Sequence, residues 1–212
     1  MEWTEIPYVW QECFKEAWKS FQEGSRPIGA LIADEQGEIL ARGKSAAFNE
    51  LTDCAVTNNE LAHAEINALL KLDNRLYPKR NTFVLYSTME PCPLCFGAFY
   101  MSGLRKLEYA ANDNFAGSAN LKGATPYLSR KPIQINGPVS YLENLSIVLN
   151  LYFDTVTQYE KSHPVRTLMA AAYVSAAQLA AQWAQEKKLK NPEHLQIEEI
   201  YQMVQEELNF SL

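Results

Sequence analysis

Cysteine and positive charge are both scarce in this chain of 212 residues. Four cysteines are too few for a disulfide scaffold of this length, and two of them, Cys92 and Cys95, form a close C-x-x-C pair. Such a pair is typical of metal or redox sites in cytosolic enzymes, so we predict a cytoplasmic location. The chain has 19 Lys and Arg against 25 Asp and Glu, a formal net charge of −6. A polyanion usually selects a basic surface, so this balance disfavours a nucleic-acid partner.

The sequence also lacks an apolar run long enough to cross a membrane. Its longest uncharged stretch, 167–185, is rich in alanine and glutamine, which supply too little transfer free energy for a transmembrane helix. We therefore predict a helix packed on protein there, and no membrane partner. The N-terminus has no basic segment followed by an apolar one, which argues against a secretory signal. With 47% hydrophobic and 21% charged residues, the chain is not of a disordered or collagen-like class.

Hydrophobic periodicity predicts alternating helices and strands before an all-helical C-terminal part. We predict helices at 8–23, 61–72 and 92–102, and strands at 28–33, 38–42, 82–87 and 106–111. That order predicts a layered α/β domain. A loop-rich stretch at 112–138 precedes predicted helices at 141–161, 165–187 and 195–208. We place the boundary between a domain at 1–162 and a helical extension at 163–212.

Two short motifs carry the chemistry. His63-Ala64-Glu65 and Pro91-Cys92-Pro93-Leu94-Cys95 stand at the starts of consecutive predicted helices, with a buried strand between them. Cys92 and Cys95 share a first helical turn, so both sulfurs can face one point, and a helix N-terminus favours thiolates. With His63 as third ligand, a tetrahedral Zn²⁺ keeps one position for water, which is the catalytic pattern. Glu65 can reach that water and carry its proton.

Other roles for these motifs have to be compared. A C-x-x-C pair also occurs in structural zinc sites and in redox pairs. A structural zinc needs a fourth protein ligand, and the other Cys and His residues stand in no second paired motif. A thioredoxin-like redox pair would not come with an H-x-E partner. The catalytic zinc interpretation is therefore preferred, and Cys13 and Cys54 are interpreted as structural.

The two motifs together resemble the signature of the cytidine deaminase superfamily of zinc deaminases. Further blocks resemble the family as well: Pro27-Ile28-Gly29-Ala30 its first strand, Ala116-Gly117-Ser118 a loop of bacterial tRNA adenosine deaminases, and 92–98 the bacterial guanine deaminases. The likeness covers about residues 5–160. It implies a three-layer α/β/α fold with a mixed central sheet, followed here by the C-terminal helical extension, and usually a homodimer.

The resemblance implies hydrolytic deamination. Zinc held by His63, Cys92 and Cys95 activates water, and Glu65 passes its proton to the ring nitrogen and then to the leaving amine. The positions assigned to substrate contacts are Ala30, Ser45, Ala64, Glu90, Pro91 and Asp113. Asp113 is equally compatible with a turn or cap role. Phe115, Tyr152 and Phe153 are candidates for stacking on a base, although aromatic residues at helical spacing more often belong to a core.

One departure from the family pattern concerns the base. In tRNA adenosine deaminases and guanine deaminases, an Asn usually follows the second strand, where this chain has Ser45. A serine hydroxyl is shorter than an amide that both donates and accepts. The following loop is longer than usual, so Asn49 and Asn58 are possible substitutes. The identity of the base therefore stays open.

Three functions remain possible. The preferred one is deamination of a small base, nucleoside or nucleotide. The second is tRNA adenosine deamination, which the net charge of −6 disfavours. The third is a non-catalytic zinc-binding scaffold whose tail binds another protein, although a scaffold has no use for Glu65. The tail is predicted to pack on the domain or on a partner subunit.

Overall fold

A mixed sheet forms the centre of the molecule in the computed structural model, which describes residues 1–49, 53–157, 160 and 162–209. The sheet has five strands in the order β2-β1-β3-β4-β5. They are β1 (Gly29–Ala33), β2 (Ile39–Lys44), β3 (Val84–Ser87), β4 (Lys106–Tyr109) and β5 (Gln134–Asn136). Strand β1 pairs antiparallel with β2 and β3, whereas β3–β4 and β4–β5 are parallel. The predicted mixed α/β sheet is confirmed.

Helices cover both faces of this sheet. Because side chains alternate along a strand, Leu31 and Ala33 face one side of β1, and Ala30 and Ile32 face the other. On the first side lie α1 (Tyr8–Gln22) and α4 (Ser140–Val156). Three further helices of the same hydrophobic cluster pack on α4, and the last of them also on α1: α5 (Pro164–Ala172), α6 (Val174–Glu186) and α7 (Ile197–Asn209). The second side packs against α2 (Ala64–Leu69) and α3 (Pro93–Ser102). The arrangement is the predicted three-layer α/β/α fold.

The C-terminal helices share one hydrophobic core with the N-terminal part. Trp183 of α6 and Tyr201 of α7 are buried in the same cluster as Trp10 and Phe14 of α1. The Trp18 indole N–H donates to the Leu195 carbonyl at 2.9 Å, and the Tyr201 and Trp3 rings lie 5.3 Å apart. The predicted packing of the tail on the domain is thus observed, while the boundary at 162/163 stays a prediction.

Several element bounds differ from the periodicity-based prediction. The stretch at 112–138, predicted as loop, contains the edge strand β5, whose three residues are too few for a periodic signal. The single helix predicted at 165–187 is two helices, because Tyr173 leaves helical dihedrals at φ −128° and ψ 62° while its hydroxyl donates to Glu143 at 2.7 Å. The helix predicted to Lys161 ends at Val156, and Lys161 lies outside the described residues.

Among the described residues, no helix is both long and apolar enough to span a bilayer.

Candidate active site

The two sequence motifs meet where two helices begin. His63 is the N-cap of α2 and Cys92 is the N-cap of α3, both with extended backbone, at ψ 152° and 174°. The predicted helix at 61–72 therefore starts only after His63 and ends at Leu69. Pro93 suits the first turn of α3 because that position needs no amide donor. Glu65 and Cys95 follow in the first turns of their helices.

The side chains of His63, Cys92 and Cys95 form a metal-compatible cluster. Nδ1 of His63 lies 3.5 Å from the Cys92 sulfur and 3.3 Å from the Cys95 sulfur. The three ligand atoms all lie within 4.8 Å of one another. Zinc–sulfur and zinc–nitrogen bonds of about 2.3 and 2.0 Å at a tetrahedral angle separate N and S by about 3.5 Å. The donor set and its spacing therefore fit Zn²⁺.

In the metal-free cluster the electrostatics favour the metal-binding form at Cys92 and the protonated form at Cys95 and His63. Hydrogen bonds with the Cys95 thiol and with His63 hold the pKa of the Cys92 thiol down to about 4, against the effect of burial. The hydrogen bond to Cys92 and burial raise the pKa of the Cys95 thiol. Contact with Cys92 raises the pKa of His63. Metal binding would have to displace the protons that these raised pKa values favour on Cys95 and His63.

Glu65 is held beside the cluster without being one of its donors. Its side chain is buried, Oε1 accepts a hydrogen bond of 2.9 Å from the Ser87 hydroxyl, and Oε2 lies 3.3 Å from the Cys95 sulfur. Burial raises the pKa of this carboxyl, which makes protonation easier than for an exposed glutamate. A carboxyl in this position can accept and return a proton.

Close packing on β2 fixes the position of α2. A Cβ on Gly43 would come within 2.1 Å of the Ala64 carbonyl oxygen and 2.4 Å of the Ala68 nitrogen, so the helix rests directly on this glycine. Asn67 adds two hydrogen bonds, from Nδ2 to the Lys44 carbonyl at 3.1 Å and from the Val56 amide to Oδ1 at 2.8 Å. His63 and Glu65 are therefore carried by a helix with little freedom to shift.

The loop after β4 is tied to the Cys92 loop through Glu90. The Glu90 carboxylate accepts hydrogen bonds from the amides of Asp113 at 3.2 Å and Ala119 at 2.9 Å, and the Pro91 carbonyl accepts one from Ser118 at 3.0 Å. The contacts observed for Glu90 and Pro91 thus tie the two loops together. Asp113 accepts from the amides of Phe115 and Ala116, both at 2.9 Å, so it has the turn role that the sequence allowed.

These groups surround a cavity of about 230 Å³. Most of the predicted site residues line it, namely Ser45, His63, Ala64, Glu65, Glu90, Cys92 and Asp113. Three do not line it. Ala30 is buried within β1, the buried Cys95 contacts His63, and the Pro91 carbonyl accepts a hydrogen bond from the Ser118 amide.

The remaining candidates for base contacts either line the cavity or are buried in contacts within the protein. Phe115 lines the cavity, whereas Tyr152 and Phe153 pack against Phe21. Asn49 is buried, accepting from the Ser25 hydroxyl and donating to Glu23 at 2.6 Å, and is not among the lining residues; nor is Asn58. Neither asparagine therefore reaches the cavity to replace the amide that related deaminases usually carry at the position of Ser45.

The residues on one side of the cavity could not be identified from sequence motifs. The lining residues outside the two motifs and the assigned positions come from the segment between α1 and β1, from other loops, and from α4 and α5: Arg26, Ile28, Ala47, Phe48, Glu60, Met89, Ala116, Asn150, Leu151, Asp154, Val165 and Met169. Ile28 and Ala116 had a signal, because they stand in the blocks 27–30 and 116–118 that resemble the family. The residues of α4 and α5 lie far along the chain from both motifs, so only the fold brings them here.

Charge in the cavity is predominantly negative. Among the lining residues that the structure describes, the acidic ones are Glu60, Glu65, Glu90, Asp113 and Asp154, and the one Lys or Arg is Arg26. Nη2 of Arg26 lies 2.5 Å from Oδ1 of the buried Asp154, so its charge is engaged by an ion pair. This surrounding suits a neutral ligand that brings hydrogen-bond donors.

The chain is similar to known deaminases. Residues 3–111 match the model of the cytidine and deoxycytidylate deaminase zinc-binding region. A probable cytosine deaminase of Schizosaccharomyces pombe is 28% identical over 149 residues, 65% of this chain and 85% of that protein. A tRNA-specific adenosine deaminase of Streptococcus pyogenes serotype M18 is 34% identical over 119 residues, 55% of this chain and 70% of that protein.

A solved structure from a study of A-to-I editing by tRNA:A34 deaminases shares the fold. It superposes with a TM-score of 0.51 at 28% identity and covers 63% of this chain and 99% of its own. The family match includes both motifs, and the donor cluster that they form has the spacing that zinc requires. The chain belongs to the family defined by the cytidine and deoxycytidylate deaminase zinc-binding region.

Proposed function

We propose that this protein is a zinc-dependent hydrolytic deaminase of a small, neutral, amino-substituted nucleobase or its nucleoside. One observation carries the proposal: two of the three metal donors, His63 and Cys92, and the buried Glu65 line the same cavity. In the reaction one water is consumed, the ring carbon exchanges its amino group for oxygen, and ammonia leaves. The site has side chains for both tasks, metal binding and proton transfer.

His63, Cys92 and Cys95 would hold the zinc, which when bound would supply Lewis-acid activation of the attacking water. Glu65 takes one proton of that water at its carboxylate and delivers it to the ring nitrogen beside the reacting carbon. It then takes the second proton, from the hydroxyl now on that carbon, and passes it to the departing amine, so that ammonia leaves as the carbonyl forms. The Ser87 hydroxyl orients the carboxylate through its bond to Oε1. Apolar lining from Ile28, Met89 and Leu151 keeps competing water from the ring.

The charge of the cavity supports a small neutral substrate over a phosphorylated one. A nucleotide or tRNA would bring phosphate toward an acidic lining whose one described basic side chain, Arg26, is already paired with Asp154. Coulomb repulsion between like charges in a partly enclosed site is stronger than in water, so binding of phosphate there is disfavoured.

The helical extension supports the same choice. Val165 and Met169 of α5 contribute to the cavity wall, and the Asn114 amide donates to the Met169 sulfur at 3.2 Å. The His163 and Phe115 rings lie 6.2 Å apart. The extension thus narrows the space beside the metal donors.

Deamination of tRNA adenosine is the second candidate. It is favoured by the 34% identity to tRNA-specific adenosine deaminases, and disfavoured by the acidic lining. The scaffold alternative leaves the buried carboxyl of Glu65 beside the donors without a purpose. The homodimer and the cytoplasmic location stay predictions, and size-exclusion chromatography with light scattering tests the first.

Ammonia release tests the proposal directly. The zinc-loaded protein is incubated with guanine, adenine and cytosine, their nucleosides and nucleotides, and unmodified tRNA. We expect turnover of a base or nucleoside, with a lower rate for the matching nucleotide. Activity confined to tRNA would establish the second candidate, and no activity with zinc fully bound would favour the scaffold.

A further inference from the structure

Asn150 has an unusual position in the cavity wall. It lies in α4 with 3% of its surface exposed, and it lines the same cavity as His63, Glu65 and Cys92. Its Nδ2 donates to the Ser146 carbonyl at 2.9 Å, which orients the amide and identifies Oδ1 as the remaining acceptor. Among the buried side-chain nitrogen and oxygen atoms of the described residues, Oδ1 of Asn150 is the one without a hydrogen-bond partner.

An unpartnered buried carbonyl oxygen needs an explanation. Buried polar atoms in folded proteins nearly always have partners, because the hydrogen bond to water lost on folding is otherwise not replaced. A leucine of similar size would fill the same space without that cost. The amide at position 150 is therefore better suited to receiving a donor from outside the chain than to packing alone.

Hydrogen bonds hold Asn150 at a fixed place relative to the metal donors. The Ser146 hydroxyl donates to the Thr88 carbonyl at 2.6 Å, and the Thr88 hydroxyl accepts from the Gly29 amide at 3.1 Å. Thr88 lies just before the segment that carries Glu90 and Cys92. The acceptor is thus attached to the loop that presents the metal donors and does not move independently of it.

The neighbourhood of Asn150 favours a neutral donor. Asp154 follows four residues later on the same face of α4 and also lines the cavity, where its carboxylate is paired with Arg26. A phosphate offers acceptors only and would meet an acceptor-rich wall. A nucleobase offers ring N–H groups, and a nucleoside adds ribose hydroxyls.

We infer that Asn150 is a substrate-binding residue whose Oδ1 accepts a hydrogen bond from a neutral N–H or O–H of the base or nucleoside. The inference rests on the proposed function, since it assigns a role within the same cavity. It also gives the chain an amide for base recognition although Ser45 stands where the related deaminases usually carry an asparagine. This amide comes from α4, outside the segment 3–111 that matches the family model.

Equilibrium binding tests this inference without turnover. Zinc-loaded protein carrying Glu65→Gln is titrated by calorimetry with guanine, adenine and cytosine, with 9-methylguanine, 9-methyladenine and 1-methylcytosine, and with the three nucleosides. Asn150→Leu is added to this background to remove the acceptor. Asn144→Leu, the same exchange at an exposed position of α4, is the matched control.

The expected result is a loss that depends on the ligand's donor. If the ring N–H at the glycosidic position meets Oδ1, Asn150→Leu weakens binding of the free base about 10- to 100-fold and leaves the methylated base nearly unchanged. If another N–H of the base meets Oδ1, the free base and the methylated base lose affinity alike. If a ribose hydroxyl meets it, only the nucleoside loses affinity. Asn144→Leu should bind every ligand like the parent. Asn150→Ala removes the same acceptor and gives the same comparison should the leucine variant fold poorly.

Two results would overturn the inference in different ways. Equal affinities of the Asn150→Leu, Asn144→Leu and parent proteins for every base and nucleoside would show that Asn150 binds no substrate, and would leave the proposed function intact. Failure of the zinc-loaded parent to bind any base or nucleoside would overturn the proposed function itself. Zinc content and melting temperature, measured on each variant, separate both results from misfolding.

Discussion

The Ser87 hydroxyl, at the end of β3, donates a hydrogen bond of 2.9 Å to Oε1 of Glu65, in the first turn of α2. Both residues are buried, so the bond is shielded from water. It orients a carboxylate whose other oxygen lies 3.3 Å from the Cys95 sulfur. Ser87 is therefore a positioning residue, and the central sheet contributes to the site through it.

Ser87→Ala should lower kcat about 10- to 100-fold while leaving KM and zinc content close to those of the parent. The bond stabilises one orientation of Glu65, and a hydrogen bond to a charged group is worth about 1.5–3 kcal/mol. Steady-state kinetics and metal analysis check this prediction. Ser129→Ala, on an exposed loop, is the control. A parallel rise in KM or loss of zinc would instead indicate a general structural role.

Glu65→Gln should lower kcat by about 10²–10⁴ and keep zinc bound. The amide preserves size but cannot take a proton from water, and Glu65 is not one of the three donors. Turnover and metal content are measured together, with the exposed Glu206→Gln as control. Full activity of Glu65→Gln would refute the proton-transfer role.

Cys92→Ser should abolish stoichiometric zinc binding and activity. A serine hydroxyl stays protonated near neutral pH and is a poor zinc ligand, whereas the Cys92 thiol has a pKa of about 4. Metal analysis after purification with added zinc checks this outcome. Cys54→Ser lies outside the donor cluster and should keep one zinc per chain. Equal zinc in both variants would contradict the assigned ligand set.

The local part of the site could be predicted from the sequence because its chemistry lies in short motifs. His63, Glu65, Cys92 and Cys95 are adjacent in sequence to helix starts, and a helix start orients them. The order of strands and helices could also be predicted, because hydrophobic periodicity is a property of short stretches of sequence. The edge strand β5 could not, since its three residues pair only through the sheet.

The other half of the cavity depends on tertiary packing. Periodicity indicates that α4 and α5 have apolar faces, but not which strand or loop those faces meet. Asn150, Asp154, Val165 and Met169 line the cavity only because α4 packs across the sheet and α5 folds back over the loop after β4. Similarly, Asn49 looked available for a base, but the fold pairs its amide with Ser25 and Glu23.

Met169→Ala should widen the cavity and shift preference toward larger substrates. The ratio of kcat/KM for a nucleoside to that for its base should rise about tenfold, since the wall from α5 recedes; the folded state should lose about 2–5 kcal/mol. Kinetics with paired substrates and chemical denaturation measure both effects. Leu168→Ala, the neighbouring and exposed position, should change neither. An unchanged substrate ratio in Met169→Ala would remove α5 from the determinants of specificity.

Trp183→Ala should destabilise the whole protein by about 3–5 kcal/mol and not the extension alone. Trp183 is fully buried in the cluster that also contains Trp10 and Phe14, and its indole N–H donates to Glu207. Far-UV circular dichroism and zinc release should follow one common transition in the parent and in the variant, because one core joins 1–162 to 163–212. Val174→Ala, exposed on the same helix, should cost less than about 1 kcal/mol. An early transition of the variant that leaves zinc bound would show instead that the extension unfolds as a separate unit, and would place a structural boundary near residue 162.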